Sequence, residues 1–294
     1  MTKLIVDCVI LNYNDANTTI ELINHINEFN SIDHIIIVDN CSTDDSFHLL
    51  QTYASRKIIV LRNENNGGYG AGNNFGVFYS KNTFHSDYVI IANPDVRFEE
   101  DCISALVVLM EEDKKCSLAA PIQINTKGEI IEDYAWPFPT TWQAIFSAGH
   151  YLHRVMWKHY GYQWLEAIKQ NNTSVVVDCV PGAMLIIRTS DFCDLSGYDE
   201  NNFLYWEEAM IGKKIVKSGH YTKLLVQYTY LHNHAVSINK NIPRAINRIK
   251  LLLKGRYHYL KNYSNAKGIQ IVIAKIFFKF CIIEENIITR VKKI

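Results

Sequence analysis

The chain has no paired cysteines, no long apolar run and no phosphate-binding fingerprint, and each absence removes a class of protein. Its seven cysteines (Cys8, Cys41, Cys102, Cys116, Cys179, Cys193 and Cys281) are scattered through 294 residues without a short paired spacing. That argues against a zinc site or a disulfide framework and fits a reducing cytosol. No apolar run reaches the roughly 18 uncharged residues that span a bilayer. Met1-Thr2-Lys3 leads straight into a strand pattern, so no signal peptide is expected. Gly67, Gly68, Gly70 and Gly72 match neither the dinucleotide fingerprint nor the Walker loop, which leaves a dehydrogenase or a P-loop enzyme unsupported. A nucleic-acid partner is not expected either. Lysine plus arginine balance aspartate plus glutamate at 30 each, but the balance is uneven along the chain. Beyond residue 241 twelve cations face only Glu284 and Glu285, so this tail carries about +10.

What is present is an alternation of strand and helix patterns. Residues 4–11, 34–38, 57–61 and 88–92 are apolar, β-branched strands. Between them lie helical periods at 15–29, with Ile20, Ile23, Ile26 and Phe29 in phase, and at about 44–54, where Thr43 or Asp44 is a fitting N-cap. Residues 63–72 read as an Asn/Gly-rich loop followed by a short helix through Ser80, and 99–112 as a further helix. This order implies right-handed βαβ crossovers and a Rossmann-like, mostly parallel α/β sheet with helices on both faces. Later strands are expected at 174–179, 183–188 and 221–231, with a helix opened by residues 203–208 and running to about Lys217.

The strand ends form a set: Asn12-Tyr13-Asn14, Asp39-Asn40, Asn63-Glu64-Asn65 and Asn93-Pro94-Asp95. All lie along the carboxyl edge of the expected sheet, where open α/β folds bind ligands. Pro94 ends its strand, since it has no N–H to give a ladder and pushes Asn93 into an extended conformation. Asp95 is then a lone carboxylate suited to a divalent cation that shares its shell with phosphates. The plainer reading of Asp95 is a turn residue, and of each glycine, turn chemistry. Likewise the adjacent Glu207 and Glu208 could serve the helix dipole or act as a general base. His232 and His234, alternate residues past a strand end, are candidates for a metal or phosphate contact.

Between residues 121 and 173 the alternation stops and aromatics concentrate, among them Trp136, Trp142, Trp157 and Trp164. This segment is a candidate acceptor-binding lid or a satellite apolar cluster. Residues 242–263 read as a basic amphipathic helix, and 269–283 as a more apolar one interrupted by Lys275 and Lys279. Such helices suit either an anionic bilayer surface or packing on the domain or a second subunit.

Seven stretches in this order resemble the family 2 glycosyltransferases of GT-A fold, in the bacterial branch of rhamnosyl- and galactofuranosyltransferases. They are 9–14, 38–44, 65–74 (Asn-Asn-Gly-Gly-Tyr-Gly-Ala-Gly-Asn-Asn), 92–95, 180–184, 203–208 and 232–237, spanning roughly residues 4–238. The resemblance implies a catalytic domain over 1–240, with a nucleotide-sugar half to about 120 and an acceptor half from 121, followed by the helical tail 241–294. It implies inverting transfer from a UDP- or dTDP-sugar to a glycan or polyprenyl-linked glycan, in surface polysaccharide or capsule synthesis at the inner face of the cell membrane, by a monomer or homo-oligomer. Asn12, Tyr13, Asn14, Asp39, Ser42, Gly67, Gly68, Asn73 and Asn93 would hold the nucleotide sugar. Asp95 and His234 would hold Mn2+ or Mg2+, with His232 as the alternate histidine. Glu208 would be the base and Glu207 the fallback. Two positions depart from the family pattern: the second acid is Glu208 where Asp is usual, one methylene longer, and Met210 stands where a later Asp is usual. This puts the acceptor's placement in question rather than the reaction class. A nucleotidyltransferase would need a basic clamping loop, and residues 12–17 lack one. A non-catalytic sugar-nucleotide-binding or scaffold protein is the other reading.

Overall fold

The computed structural model describes residues 3–131, 134–149, 173–233, 242 and 244–291. Four parallel strands start the fold: β1 (Val6–Asn12), β2 (His34–Asp39), β3 (Ile58–Arg62) and β4 (Tyr88–Ala92), in the spatial order β3-β2-β1-β4. Their side chains alternate between two cores. Cys8, Ile10, Ile35 and Ile37 join one face, and Val9, Ile36 and Val38 the other. A strand buried on both faces is apolar along most of its length, which is why these segments read as runs rather than alternations. An exception, buried Asp7 in β1, is hydrogen-bonded to His34 Nδ1 and Ser80 Oγ. Helices α1 (Ala16–Ile26) and α4 (Glu100–Glu112) cover the first face through Leu22, Ile23, Ile103 and Leu106. Helix α3 (Gly68–Phe84) covers the other through Val77. The short α2 (Ser46–Gln51) lies between β2 and β3 and stops before the expected residue 54.

Helix α3 begins at Gly68, so Gly70 and Gly72 belong to its first turns and not to a loop. A Cβ on Gly72 would sit 2.3 Å from Leu11 Cδ1, so this glycine lets α3 lie close on β1. The expected loop therefore ends before Gly68, and helix–strand packing uses Gly72.

Beyond β4 the sheet becomes mixed. The two-residue β5 (Val96–Arg97), β6 (Cys116–Ile124), β7 (Ser174–Val177), β8 (Met184–Arg188) and β9 (Tyr221–His232) complete nine strands in the order β3-β2-β1-β4-β8-β6-β9-β5, with β7 also on β9. β8 runs antiparallel to β4 and β6, whereas β6 and β9 are parallel. β6 was not expected, because Pro121 interrupts its apolar run. The ladder to β9 shifts register between Pro121 and Ile122, and such an irregularity is where a strand tolerates proline.

Among the described residues the remaining helices are α5 (Thr141–Phe146), α6 (Thr189–Asp194), α7 (Glu207–Lys217), α8 (Ala245–Asn262) and α9 (Gly268–Val291). Both tail helices pack onto the rest. Leu253, Tyr259, Leu260, Ala274, Phe278 and Cys281 form a third core with Ile145, Cys179, Ala209 and Met210. Met210 is 1% exposed there. This second departure from the family pattern is thus a core contact for the tail.

Candidate active site

The carboxyl ends of β1, β2 and β4, the 181–183 turn, the start of α7 and one side of α8 enclose a cleft of about 1240 Å³. Its first corner is Asp95. The pairing of β5 with β9 sets Val96 opposite His232, and Asn233 N–H donates to the Asp95 carbonyl at 2.9 Å. Tyr230 Oη donates to Gln123 Oε1 (2.7 Å), leaving the Gln123 amide N–H to donate to His232 Nδ1 (3.0 Å). With that polarity the His232 proton is on Nε2, 3.2 Å from Asp95 Oδ1. Asp95 Oδ2 has no hydrogen-bond or ion-pair partner among the described residues, and Asp95 lines the cleft. A carboxylate oriented by a histidine, with one oxygen uncommitted, fits a hard divalent cation that keeps its remaining positions for water and phosphate. Among the described residues no three His, Cys, Asp or Glu side chains cluster as a closed metal site. His234, the other expected ligand, lies outside the described residues.

The second corner is the acid pair. Tyr205 and Trp206 both adopt left-handed backbone conformations (φ 70° and 73°), and α7 starts immediately after them with Glu207 and Glu208 in its first turn. Glu207 is buried, and its Oε1 finds no hydrogen-bond partner among the described residues. Glu208 Oε1 accepts a long bond from Gly182 N–H, at 3.4 Å. Burial raises both carboxyls above the usual carboxylate range, and the charge of Glu208 raises Glu207 further. Both residues line the cleft, so either can reach a substrate hydroxyl as a base whose affinity for a proton lies closer to neutrality than that of a solvated glutamate.

The expected nucleotide residues fall into two layers. Tyr13, Gly68 and Asn93 line the cleft, joined by Asn40 of the expected strand-end set, by Asn66 of the 65–74 stretch, and by Asp15, which had no expected role. Behind them Asp39 is completely buried. Its oxygens accept from Asn12 Nδ2 (2.9 Å) and Ser42 N–H (3.0 Å), and Arg62 Nε stands 3.7 Å away. Asn14, at φ 51°, takes Thr43 N–H on its side-chain oxygen, tying the β1 and β2 loops together. Asn73 lies inside α3 and donates to Tyr69 O, and Gly67 is that helix's N-cap. At Gly68 (φ 88°) a Cβ would fall 2.0 Å from Phe203 O, so this glycine lets the loop meet the 203–206 turn. Gln123 and Tyr230 were missed. Their signal was slight: Gln123 lies on β6, which was not expected as a strand, and Tyr230 on a strand read only for its apolar content.

A strand-edge crevice with one oriented carboxylate and a separate buried acid pair, on a Rossmann-like sheet, defines a nucleotide-sugar transferase of the GT-A class. Residues 7–191 match the family described as glycosyl transferase family 2, and the chain belongs to that family. It is a glycosyltransferase. The N-acetylglucosaminyl-diphospho-decaprenol L-rhamnosyltransferase of Mycobacterium tuberculosis is 24% identical over 219 residues, 70% of this chain and 68% of the relative. Rhamnosyltransferase WbbL of Escherichia coli K12 is 23% identical over 236 residues, covering 76% and 83% of the two chains. In structure, GalNAc-T7 with UDP, GalNAc and Mn2+ superposes with a TM-score of 0.62 at 14% identity, over 96% of this chain and 56% of that one. That likeness is one of fold.

The acid pair makes stability depend on pH. A carboxyl raised in the folded state holds a proton that the unfolded chain has already released. The native state is therefore penalised progressively as pH climbs above about 4.3, the ordinary glutamate value. Glu207→Gln removes that penalty. In urea unfolding the variant is expected to exceed the wild type by at least about 1 kcal/mol at pH 8, with the gap narrowing towards pH 4.5. An equal gap at both pH values would contradict the burial account.

Proposed function

We propose that the chain transfers a sugar, with inversion at C1, from a UDP- or dTDP-linked donor to a hydroxyl of a polyprenyl-linked glycan during assembly of a bacterial surface polysaccharide. The observation that carries this reading is the placement of Asp95 and the Glu207–Glu208 pair in one cleft. The lipid-linked acceptor in the name of the mycobacterial relative supports the acceptor class. The donor's diphosphate lies at Asp95 and its nucleoside against Tyr13, Asn40 and Asn66, with Asp39, Asn12 and Ser42 stiffening the loops behind. Glu208 accepts the proton of the acceptor hydroxyl as its oxygen bonds to C1 and the bond from C1 to the diphosphate breaks. A divalent cation, Mn2+ or Mg2+, would be held by Asp95, which His232 orients, together with His234, and would neutralise the departing diphosphate.

The same reading assigns the tail a membrane contact on the cytoplasmic side. No helix among the described residues is long and apolar enough to cross a membrane. On α9, however, Ile269, Val272, Ile276, Phe280, Ile283 and Ile287 are all more than half exposed. They recur every three or four residues, opposite the side buried through Ala274, Phe278 and Cys281. Exposed Lys275 and Lys279 border this stripe. An apolar stripe edged with cations suits the surface of an anionic bilayer.

Two measurements check these points. Release of nucleotide diphosphate from dTDP-rhamnose or a UDP-hexose, in the presence of a prenyl-diphosphate-linked sugar, is expected to fall about 10²–10⁴-fold in Glu208→Gln. Near-normal turnover would remove Glu208 as the base. Cosedimentation with phosphatidylglycerol vesicles is expected for the wild type and not for Ile276→Glu/Phe280→Glu. Equal sedimentation of both proteins would end the membrane assignment.

A further inference from the structure

The tail does more than close one side of the cleft. The turn that delivers the acid pair carries two successive non-glycine residues in the left-handed region, Tyr205 and Trp206. Such residues are costly, at roughly 1–3 kcal/mol each, and persist only where their surroundings over-determine them. The surroundings here come largely from one face of α8. Gly255 lies so close that a Cβ on it would stand 2.6 Å from Tyr205 O, 3.0 Å from Asn202 Oδ1 and 3.1 Å from Leu204 O. The next residue, Arg256, sets its guanidinium 4.8 Å from the centre of the Trp206 ring, and the Tyr259 ring packs against the same indole at 5.0 Å. Further along the helix, His258 Nε2 bonds Asp199 Oδ2 at 2.7 Å and Tyr263 Oη donates to the same oxygen at 2.8 Å. From the turn side, buried Asn202 donates to Tyr205 O at 2.8 Å. Residues 199–206 are thus held at both ends by a helix that lies outside the stretch matched by the family profile, which ends at 191.

We propose that α8 is the brace that keeps residues 204–206 in their left-handed turn, and that Gly255, with Arg256 and His258, positions Glu207 and Glu208 for proton abstraction. The proposal rests on the reading of that acid pair as the base. Gly255 and His258 touch no substrate in this arrangement; they act through the turn. Gly255 is required for the absence of a side chain, because any Cβ meets backbone oxygen rather than a yielding side-chain end. A helix that must approach this closely also explains why a glycine interrupts an otherwise continuous helical pattern at 245–262, where glycine costs about 1 kcal/mol relative to alanine.

The test compares the full-length wild type with Gly255→Ala, the milder His258→Ala and, as a control on the solvent side of α8, Lys254→Ala. Amide hydrogen exchange is read separately on peptides covering 204–211 and 212–218. Both brace variants are expected to exchange about tenfold faster in the first peptide, which contains the Met210 N–H to Trp206 O bond, and unchanged in the second. Turnover of dTDP-rhamnose or UDP-hexose with water as acceptor is expected to drop about 10²-fold in kcat, while binding of the nucleotide diphosphate stays within about twofold. Lys254→Ala should match the wild type in every readout. Should Gly255→Ala fail to fold, His258→Ala carries the comparison alone. Unchanged exchange at 204–211 would overturn the brace, and faster exchange with unaltered kcat would overturn the positioning role. If the wild type turned over none of these donors, the reading of the acid pair would fail, and the exchange data would still decide whether α8 braces the turn.

Discussion

A two-residue ladder, Val96 on His232 and Arg97 on Leu231, joins the first half of the fold to the second. Without it Asp95 would be a turn residue at the end of an ordinary parallel strand. With it, Asp95 shares its environment with the end of β9, and through His232 with Gln123 and Tyr230, which come from two strands that are distant in sequence. The four side chains form one directed line of hydrogen bonds, and its outcome is a carboxylate with a fixed orientation and one uncommitted oxygen. In the proposed reaction, that orientation is what meets the donor's diphosphate.

The opposite corner obeys a different constraint. Glu207 and Glu208 stand at the beginning of a helix, where solvated acids would serve the dipole and titrate normally. Here burial raises both, and the turn before them is held in a costly conformation by packing from a helix some 50 residues further on. Met210 belongs to the same arrangement. Where the family resemblance leads one to expect an acid, this chain places a thioether in the core shared by α7 and the tail helices, in contact with α8 and α9.

Much of this was legible in the sequence, and the parts that were not have identifiable causes. The strands β1 to β4 announced themselves because burial on both faces demands unbroken β-branched runs. The polar residues after β1, β2 and β4 lie at the cleft, whereas 63–65 after β3 do not line it. β6 was hidden by Pro121, whose tolerance depends on a register shift with a partner strand a hundred residues away. The Gly67–Gly72 run was read as loop chemistry, although Gly72 serves contact with Leu11, because glycine spacing alone does not separate approach to a ligand from approach to a strand. The role of Gly255 was illegible for the same reason. Its partner is the carbonyl of Tyr205, and no local pattern records that the two meet.

The measurement that bears most directly on the central claim is a thermal-shift panel with UDP, dTDP, GDP and CMP, each with and without Mn2+, on the wild type and Asp95→Ala. A ligand that binds only the native state raises the melting temperature by mass action. The account predicts that one diphosphate, UDP or dTDP, stabilises the wild type in a metal-dependent manner, and that Asp95→Ala loses the metal-dependent part. Absence of a shift with all four nucleotides, or a shift that Asp95→Ala leaves intact, would contradict it.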